Sequence, residues 1–358
     1  MVLASPALAA LAMLLTGLVV FLAIGRNPAE AAWVFFVKPL DSLYGIGELF
    51  LKATPLLLCA LGLGLGFRSN VWNIGAEGQL TVGALAGGGV ALALGEQAGA
   101  WGFALMIPAA ILGGMAWAAI PAFLRARFNT NEILTTLMLV YIAQLLLSYM
   151  VHGPWRDPQG HNFPQSRAFA DSLLVPVLVE GARTHWGLVV ALLLAGVFWL
   201  FAQKSWAGFQ LHVAGIAPAA ASYAGFSARR GVWVCLLTSG ATAGLAGIFE
   251  VAGPLGQLQQ QISPGYGFAA IIVAFVGRLH PVGMVFAALL MSLLYLGGES
   301  AQIGLNLPAA ITGLFQGVLL FYLLAADLLI THRLRNERPG DGTSAAPRSV
   351  PARGGAGA

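Results

Sequence analysis

Charge is scarce in this 358-residue chain: Lys, Arg, Asp and Glu together make up 9% of it, against 58% hydrophobic residues. A water-soluble fold of that length needs far more ionised surface, so that class is excluded. Lysine occurs only at Lys38, Lys52 and Lys204, and glycine precedes none of them. A Walker A phosphate loop requires Gly-Lys, so the chain has no ATPase motif of its own. HExxH, GxSxG and Cys/His zinc spacings are missing too, and no nucleophile, base and orienting group converge as a membrane enzyme would need. Cys59 and Cys235 are the two cysteines, both inside apolar runs, where a thiol serves as a small hydrophobe rather than a disulfide partner or metal ligand. The histidines, at 152, 161, 185, 212, 280 and 332, fall in expected loops and helix ends, where solvation is the default role.

What the chain has is long apolar runs from Leu8 to Ile330 and a mean hydropathy of +0.80. Backbone amides in hydrocarbon must be satisfied within the protein, and the runs are continuous rather than alternating over about ten residues as in a β-barrel. The expected fold is all-α: a polytopic transmembrane helix bundle of about ten crossings, including discontinuous helices. The spans are placed near 6–24, 46–66, 74–94, 99–121, 133–151, 186–202, 231–252, 267–277, 281–297 and 308–330. The first lacks the basic region and cleavage site of a removed signal and reads as a retained helix.

Residues 123–132, 203–230 and the tail after Thr331 are basic, whereas 26–52 and 152–185 balance both signs. The positive-inside rule puts the basic stretches in the cytoplasm, and an even number of crossings puts both termini there. Residues 1–331 read as a membrane domain and 332–358, rich in Gly, Pro, Ala and Ser, as a disordered cytoplasmic tail. Its arginines suit topology and anionic lipid rather than nucleic acid.

Two spans are defective. One run ends at Phe67 and passes at once into Arg68 and a string holding Asn73, Glu77 and Gln79, and the span at 267–277 is about 15 Å long before RLHPVG breaks it. Broken spans expose backbone and helix ends to a polar cavity, so these segments are the expected solute path. Glu77 is expected to face the bundle interior. Glu250 reads either so or as a group already in water at the outer end of its helix. Asn73 and Gln79 offer uncharged donors and acceptors suited to a neutral polar solute. The rings of Phe67, Trp72, Tyr266 and Phe268 serve either to stack on a solute or to pack the bundle. Between two spans on the basic side, the Pro218-Ala-Ala-Ala stretch bounded by Gly215 and Gly225 is expected to form a short helix that offers a docking surface to a cytoplasmic protein.

Three strings carry a resemblance. F-R-x-x-x-x-N-I-G-A-E-G-Q runs from Phe67 to Gln79, N-E-I-x-x-T-L-M-L-x-Y-I-A from Asn131 to Ala143, and S-P-G-Y-G-F-x-x-I-x-V-A-x-x-G-R-x-x-P-x-G from Ser263 to Gly283. Over about residues 5 to 330 the chain resembles the permease subunits of bacterial ABC importers of the ribose and branched-chain amino acid superfamily. Within it the chain is most similar to nucleoside-type permeases used with basic membrane lipoproteins. The resemblance implies a permease of the bacterial cytoplasmic (inner) membrane that pairs with a second permease, sits on ATPase subunits and receives solute from an external binding lipoprotein. ATP and magnesium then belong to the partner subunits, and this chain holds no cofactor or metal. It further implies that residues 208–225 form the segment coupling to the ATPase, through Gly208, Gly215, Pro218, Ala220, Ala221, Tyr223 and Gly225. His212 stands where the family form has arginine, and Ala217 where it has asparagine. The solute implied is a nucleoside or related purine-like molecule. A sugar or branched-chain amino acid permease is the alternative within the superfamily, and an ion-coupled secondary carrier using Glu77 or Glu250 is the alternative outside it.

Overall fold

Helices start here where a short polar side chain meets an apolar run. The computed structural model describes residues 4–95, 99, 101–160 and 163–331, so the tail 332–358 and His161 lie outside the described residues. α1 spans Ala4–Ala23, and the single turn α2, Pro28–Ala32, is capped by Asn27, which accepts from the Ala29 amide. A π turn, Trp33–Val37, and a 3-10 turn, Lys38–Leu40, lead to Ser42, whose hydroxyl accepts from Gly45 N and starts α3, Leu43–Arg68. Then follow α4 (Ala76–Leu94), α5 (Trp101–Phe128) and α6 (Glu132–His152). After a long loop with a 3-10 turn at Asp171–Leu173 come α7 (Gly187–Lys204), α8 (Trp206–Ile216) and α9 (Pro218–Tyr223). α10 (Ala228–Glu250) runs on into a π turn, Val251–Leu255, and α11 (Tyr266–Val276), α12 (Pro281–Leu305) and α13 (Ala310–Thr331) complete the bundle.

The chain is thus a helical membrane bundle. Each expected apolar span coincides with a helix, though α5 and α12 run seven and eight residues further than their runs suggest. α5 continues through Leu124-Arg-Ala-Arg-Phe, whose arginines suit the negative end of a helix. The ten spans are unequal. Six helices, α3, α5, α6, α7, α10 with its π turn, and α12, are long and apolar enough to cross a membrane, and α11 at about 16 Å is half a crossing.

Burial separates the core from the rim. In α3 83% of the apolar window is buried and in α10 72%, against 22% in α5, α6 and α7, so α3 and α10 form the axis. α4, α5 and α10 meet through glycines: a Cβ at Gly244 would strike the Ala110 carbonyl and lie 3.3 Å from the Gly114 Cα, and one at Gly83 would strike Gly244. Their backbones touch because nothing larger than hydrogen stands between them.

Between α3 and α4, residues 69–75 leave the helix while largely buried, and most of their amides find partners. Val71 N donates to Gly66 O (2.9 Å), Trp72 N to Glu132 Oε1 (3.3 Å), Ile74 N to Thr136 Oγ1 (3.1 Å) and Gly75 N to Asn73 Oδ1 (2.8 Å). Irregular backbone survives at such depth only with partners like these. Glu132 is held in turn by Arg125, which ties α5 and α6 to the loop.

Candidate solute pathway and docking segment

The first turn of α4 and the first turn of α11 meet inside the bundle. Ser263 Oγ accepts from Gly265 N (3.0 Å) and Tyr266 N (2.8 Å), which caps α11, while Gly265 takes the left-handed conformation (φ 98°) that the entry requires. Gly267 N then donates to Glu77 Oε2 at 2.7 Å, and the Ser263 side chain bonds the same carboxylate. A Cβ on Gly267 would fall 2.5 Å from the Glu77 Cα, so the two helix starts approach backbone to backbone. A carboxylate is well placed there, because a helix N-terminus presents free amides and a positive dipole end.

Glu77 opens on a cavity of about 820 Å³. Thr81 of α4 joins it there, with Tyr141, Gln144 and Ser148 of α6, Gln260, Gln261 and Ser263 of the loop before α11, and Phe268. The wall is therefore amides, hydroxyls, two rings and one carboxylate, set among the aliphatic side chains of Leu145, Leu147, Ile262 and Pro264, a surface that offers hydrogen bonds, stacking and apolar contact to a polar solute. Among the described residues no group of three or more His, Cys, Asp and Glu is placed to hold a metal ion.

The six residues expected along the solute path, Asn73, Glu77, Gln79, Glu250, Tyr266 and Phe268, occupy four places. Glu77 and Phe268 line the cavity. Asn73 and Gln79 lie behind it: Asn73 Nδ2 donates to Gln79 Oε1 (2.9 Å) and Ser239 Oγ (2.8 Å), bracing the loop against α10. Tyr266 is buried edge-to-face on Tyr295, with ring centroids 5.6 Å apart. Glu250 is buried at the end of α10, in electrostatic reach of Lys52, Arg183 and Glu48. Phe67 and Trp72 both stack on Phe275 and meet each other at a tilt, so they pack helix ends. Gln144, Ser148, Gln260 and Gln261 were not singled out, although a Gln inside the apolar α6 run and the string QLQQQ after a broken span are visible signals.

Near Glu250, the loop before α7 folds onto α3 through Arg183 Nε and Glu48 Oε1 (3.1 Å) and through Thr184 Oγ1, which donates to Gly47 O (3.0 Å). His185 in this loop is buried, and its Nδ1 accepts from Gly187 N at 3.0 Å, which requires the neutral ring. Burial pushes its pKa down from 6.5 to about 4. Unfolded chain takes up a proton near pH 6.5 while the folded ring resists to about pH 4, so stability falls as pH drops through that window, by up to about 3 kcal/mol. His185→Asn keeps an acceptor without the titration, and its melting temperature should lose less than that of the native protein between pH 7 and pH 4.5.

On the opposite side, Gly215 of α8 packs on the backbone of Arg68 and Ser69, and Gly208 on the carbonyl of Phe201. Ser205 caps α8, accepting from Gly208 N (2.9 Å), and Pro218 begins the short α9. Ala221 is buried beneath α9, while Ala220 is exposed, Tyr223 is 97% exposed and Gly225 (φ 81°) ends the segment. His212 borders a recess of about 570 Å³ with Arg68, Arg278 and His280. α8 and α9 so present an outward apolar face made by Trp206, Phe209, Ile216 and Tyr223.

Comparison with known proteins identifies the family. The family described as branched-chain amino acid transport system, permease component, matches residues 45–324. A glucose ABC transporter permease of Haloferax volcanii is 37% identical over 95% of this chain and 93% of its own length. A guanosine ABC transporter permease of Bacillus subtilis is 31% identical over 90% of this chain and 92% of its own, and a nucleoside ABC transporter permease of Lactococcus lactis 29% identical over 86% and 87%. No solved structure matches significantly. A multi-pass helical bundle in which two helix starts meet at a polar cavity, matched over most of its length by such relatives, belongs to the branched-chain amino acid transport permease family, the membrane-embedded components of ABC importers.

Proposed function

We propose that this chain forms one side of the path by which an ABC importer takes up nucleosides or related purine-like solutes. The observation that carries the reading is the cavity at the junction of α4 and α11. Its amides and carboxylate suit the hydrogen-bonding groups of a base and a ribose, and Phe268 and Tyr141 suit a planar ring. The guanosine and nucleoside permeases among the relatives support the same substrate class. A sugar is the second reading, favoured by the Haloferax volcanii glucose permease. Uptake of labelled guanosine by the complete importer, challenged with unlabelled nucleosides, glucose and leucine, separates the two: nucleosides should compete and glucose should not.

The path is completed from outside the chain. On α6, Met138, Tyr141, Leu145 and Tyr149 are exposed beside the exposed Gln144 at the cavity wall, a face that suits a second permease better than lipid. An external binding lipoprotein delivers solute, and ATPase subunits supply the energy that this chain has no phosphate loop to supply. In this arrangement the basic stretches and both termini face the cytoplasm of the bacterial inner membrane. The ATPase docks on α8 and α9. Pro218→Gly combined with Ala220→Asp should lower solute-stimulated ATP hydrolysis at least about fivefold, a loss near 1 kcal/mol of coupling, while the binding protein captures solute as before.

A further inference from the structure

The part of the cavity wall made by Gln260, Gln261, Ile262 and Ser263 belongs to neither α10 nor α11. It lies in irregular chain, 256–265, whose far end is fixed where Ser263 accepts from Tyr266 N. The near end leaves the π turn at Gly256 (φ 68°), and the loop joining α6 to α7 holds it there. Val175 N donates to Ala252 O (2.9 Å), Phe169 N to Gly256 O (2.8 Å) and Ser166 N to Leu258 O (2.8 Å), while Leu258 N donates to Ser166 Oγ (3.0 Å). Gln165 lies opposite Gln259 in an antiparallel bridge, and Gln257 Nε2 donates to Gln165 Oε1 (3.1 Å). Ser166 thus takes both backbone groups of Leu258. Both residues are fully buried, and the Leu258 side chain lies over Gly88 of α4. An amide at that depth needs a partner from the protein, and here a loop hydroxyl supplies it. Gln260 follows two residues later, so the seat of Leu258 sets where the two wall amides stand.

We propose that Ser166 is a positioning residue of the solute path, and that the loop between α6 and α7 is a fixed clasp on the cavity wall, not a lid that opens for solute. The inference rests on the cavity being that path and adds the device that sets Gln260 and Gln261. A lid meets its frame through exposed side chains that water can replace. This loop meets the wall through the amides of four buried residues, Ser166, Phe169, Val175 and Leu258, and opening it would leave all four unsatisfied.

A nitroxide reports on the wall directly. The native Cys59 and Cys235 are buried, so Gln261→Cys in the full-length chain in lipid nanodiscs takes the label alone. Adding Ser166→Ala should narrow the central line of its spectrum by freeing the wall. Thr184→Ala, which removes the same loop's bond to Gly47 O, should leave the line unchanged. Without the label, Ser166→Ala should lower guanosine uptake by the assembled importer at least about fivefold at an unchanged amount of complex, as expected for loss of one buried acceptor. A second arm needs no loss of contact. Residues opposite each other in an antiparallel pair lie about 4.5–5.5 Å apart at Cα, within disulfide reach. Oxidising Gln165→Cys combined with Gln259→Cys by copper phenanthroline should therefore leave uptake close to that of the reduced pair, with the native importer treated alike as reference. Should Ser166→Ala not assemble, this pair still decides between clasp and lid. A line unmoved by Ser166→Ala, or moved equally by Thr184→Ala, overturns the positioning role and leaves the solute path standing. Uptake lost on oxidation and regained on reduction overturns the fixed clasp. A loosened wall with native uptake means that solute does not use these amides, and overturns both.

Discussion

Glu77→Ala is expected to abolish uptake by the assembled importer, and Glu77→Gln to cut it by at least about tenfold at unchanged protein level. The two substitutions remove different things. Alanine takes away the acceptor of Gly267 N and leaves that buried amide orphaned, a cost of about 1–3 kcal/mol, and it also frees the start of α11 from the start of α4. Glutamine keeps an oxygen for the amide and nearly the same volume, so the helix junction persists and only the charge and one acceptor are lost. A tenfold loss corresponds to about 1.4 kcal/mol, the size of a single hydrogen bond to a charged group. Initial rates of labelled guanosine uptake into proteoliposomes, measured beside the amount of assembled complex, check both. Native rates in the glutamine variant would mean that the carboxylate braces helices and does not meet solute.

Gly244→Leu is expected to prevent folding. Its Cβ direction runs into the Ala110 carbonyl and the backbone of Gly114, both on α5, while Gly83 of α4 presses from another side, so three helices would have to separate. Overpacking costs about 1–3 kcal/mol where side chains can yield, and more here because backbone is the obstacle. Little folded protein should be recovered after extraction. Gly196 of α7 has nothing within 4 Å, and Gly196→Leu should melt close to the native protein. The pair separates a general intolerance of bulk from a specific helix crossing.

The architecture was legible because hydrocarbon leaves few choices. Apolar runs long enough to matter become helices, and breaks at Arg68 and before Tyr266 mark where helices stop inside the bundle. Within the breaks, residue type alone could not assign roles. A polar side chain at membrane depth is demanded equally where water enters and where backbone leaves its helix. Asn73 and Gln79 meet the second demand and Glu77 opens on the cavity, though all three lie within seven residues. Gln144 escaped notice for the opposite reason, since one amide in the apolar α6 run has no local pattern; its role depends on α11 arriving opposite. Glu250, read two ways from its position near the end of an apolar run, lies both at that end and buried, because the loop before α7 folds over it with Arg183.

That this chain is a conduit opened by another subunit's nucleotide is tested most directly by reconstitution. Purified chain alone in proteoliposomes, under an imposed proton or sodium gradient, should take up no labelled guanosine above empty vesicles; adding the partner permease, the ATPase subunits, the binding lipoprotein and internal ATP should restore uptake. Gradient-driven accumulation by the chain alone would contradict the account and make it a secondary carrier.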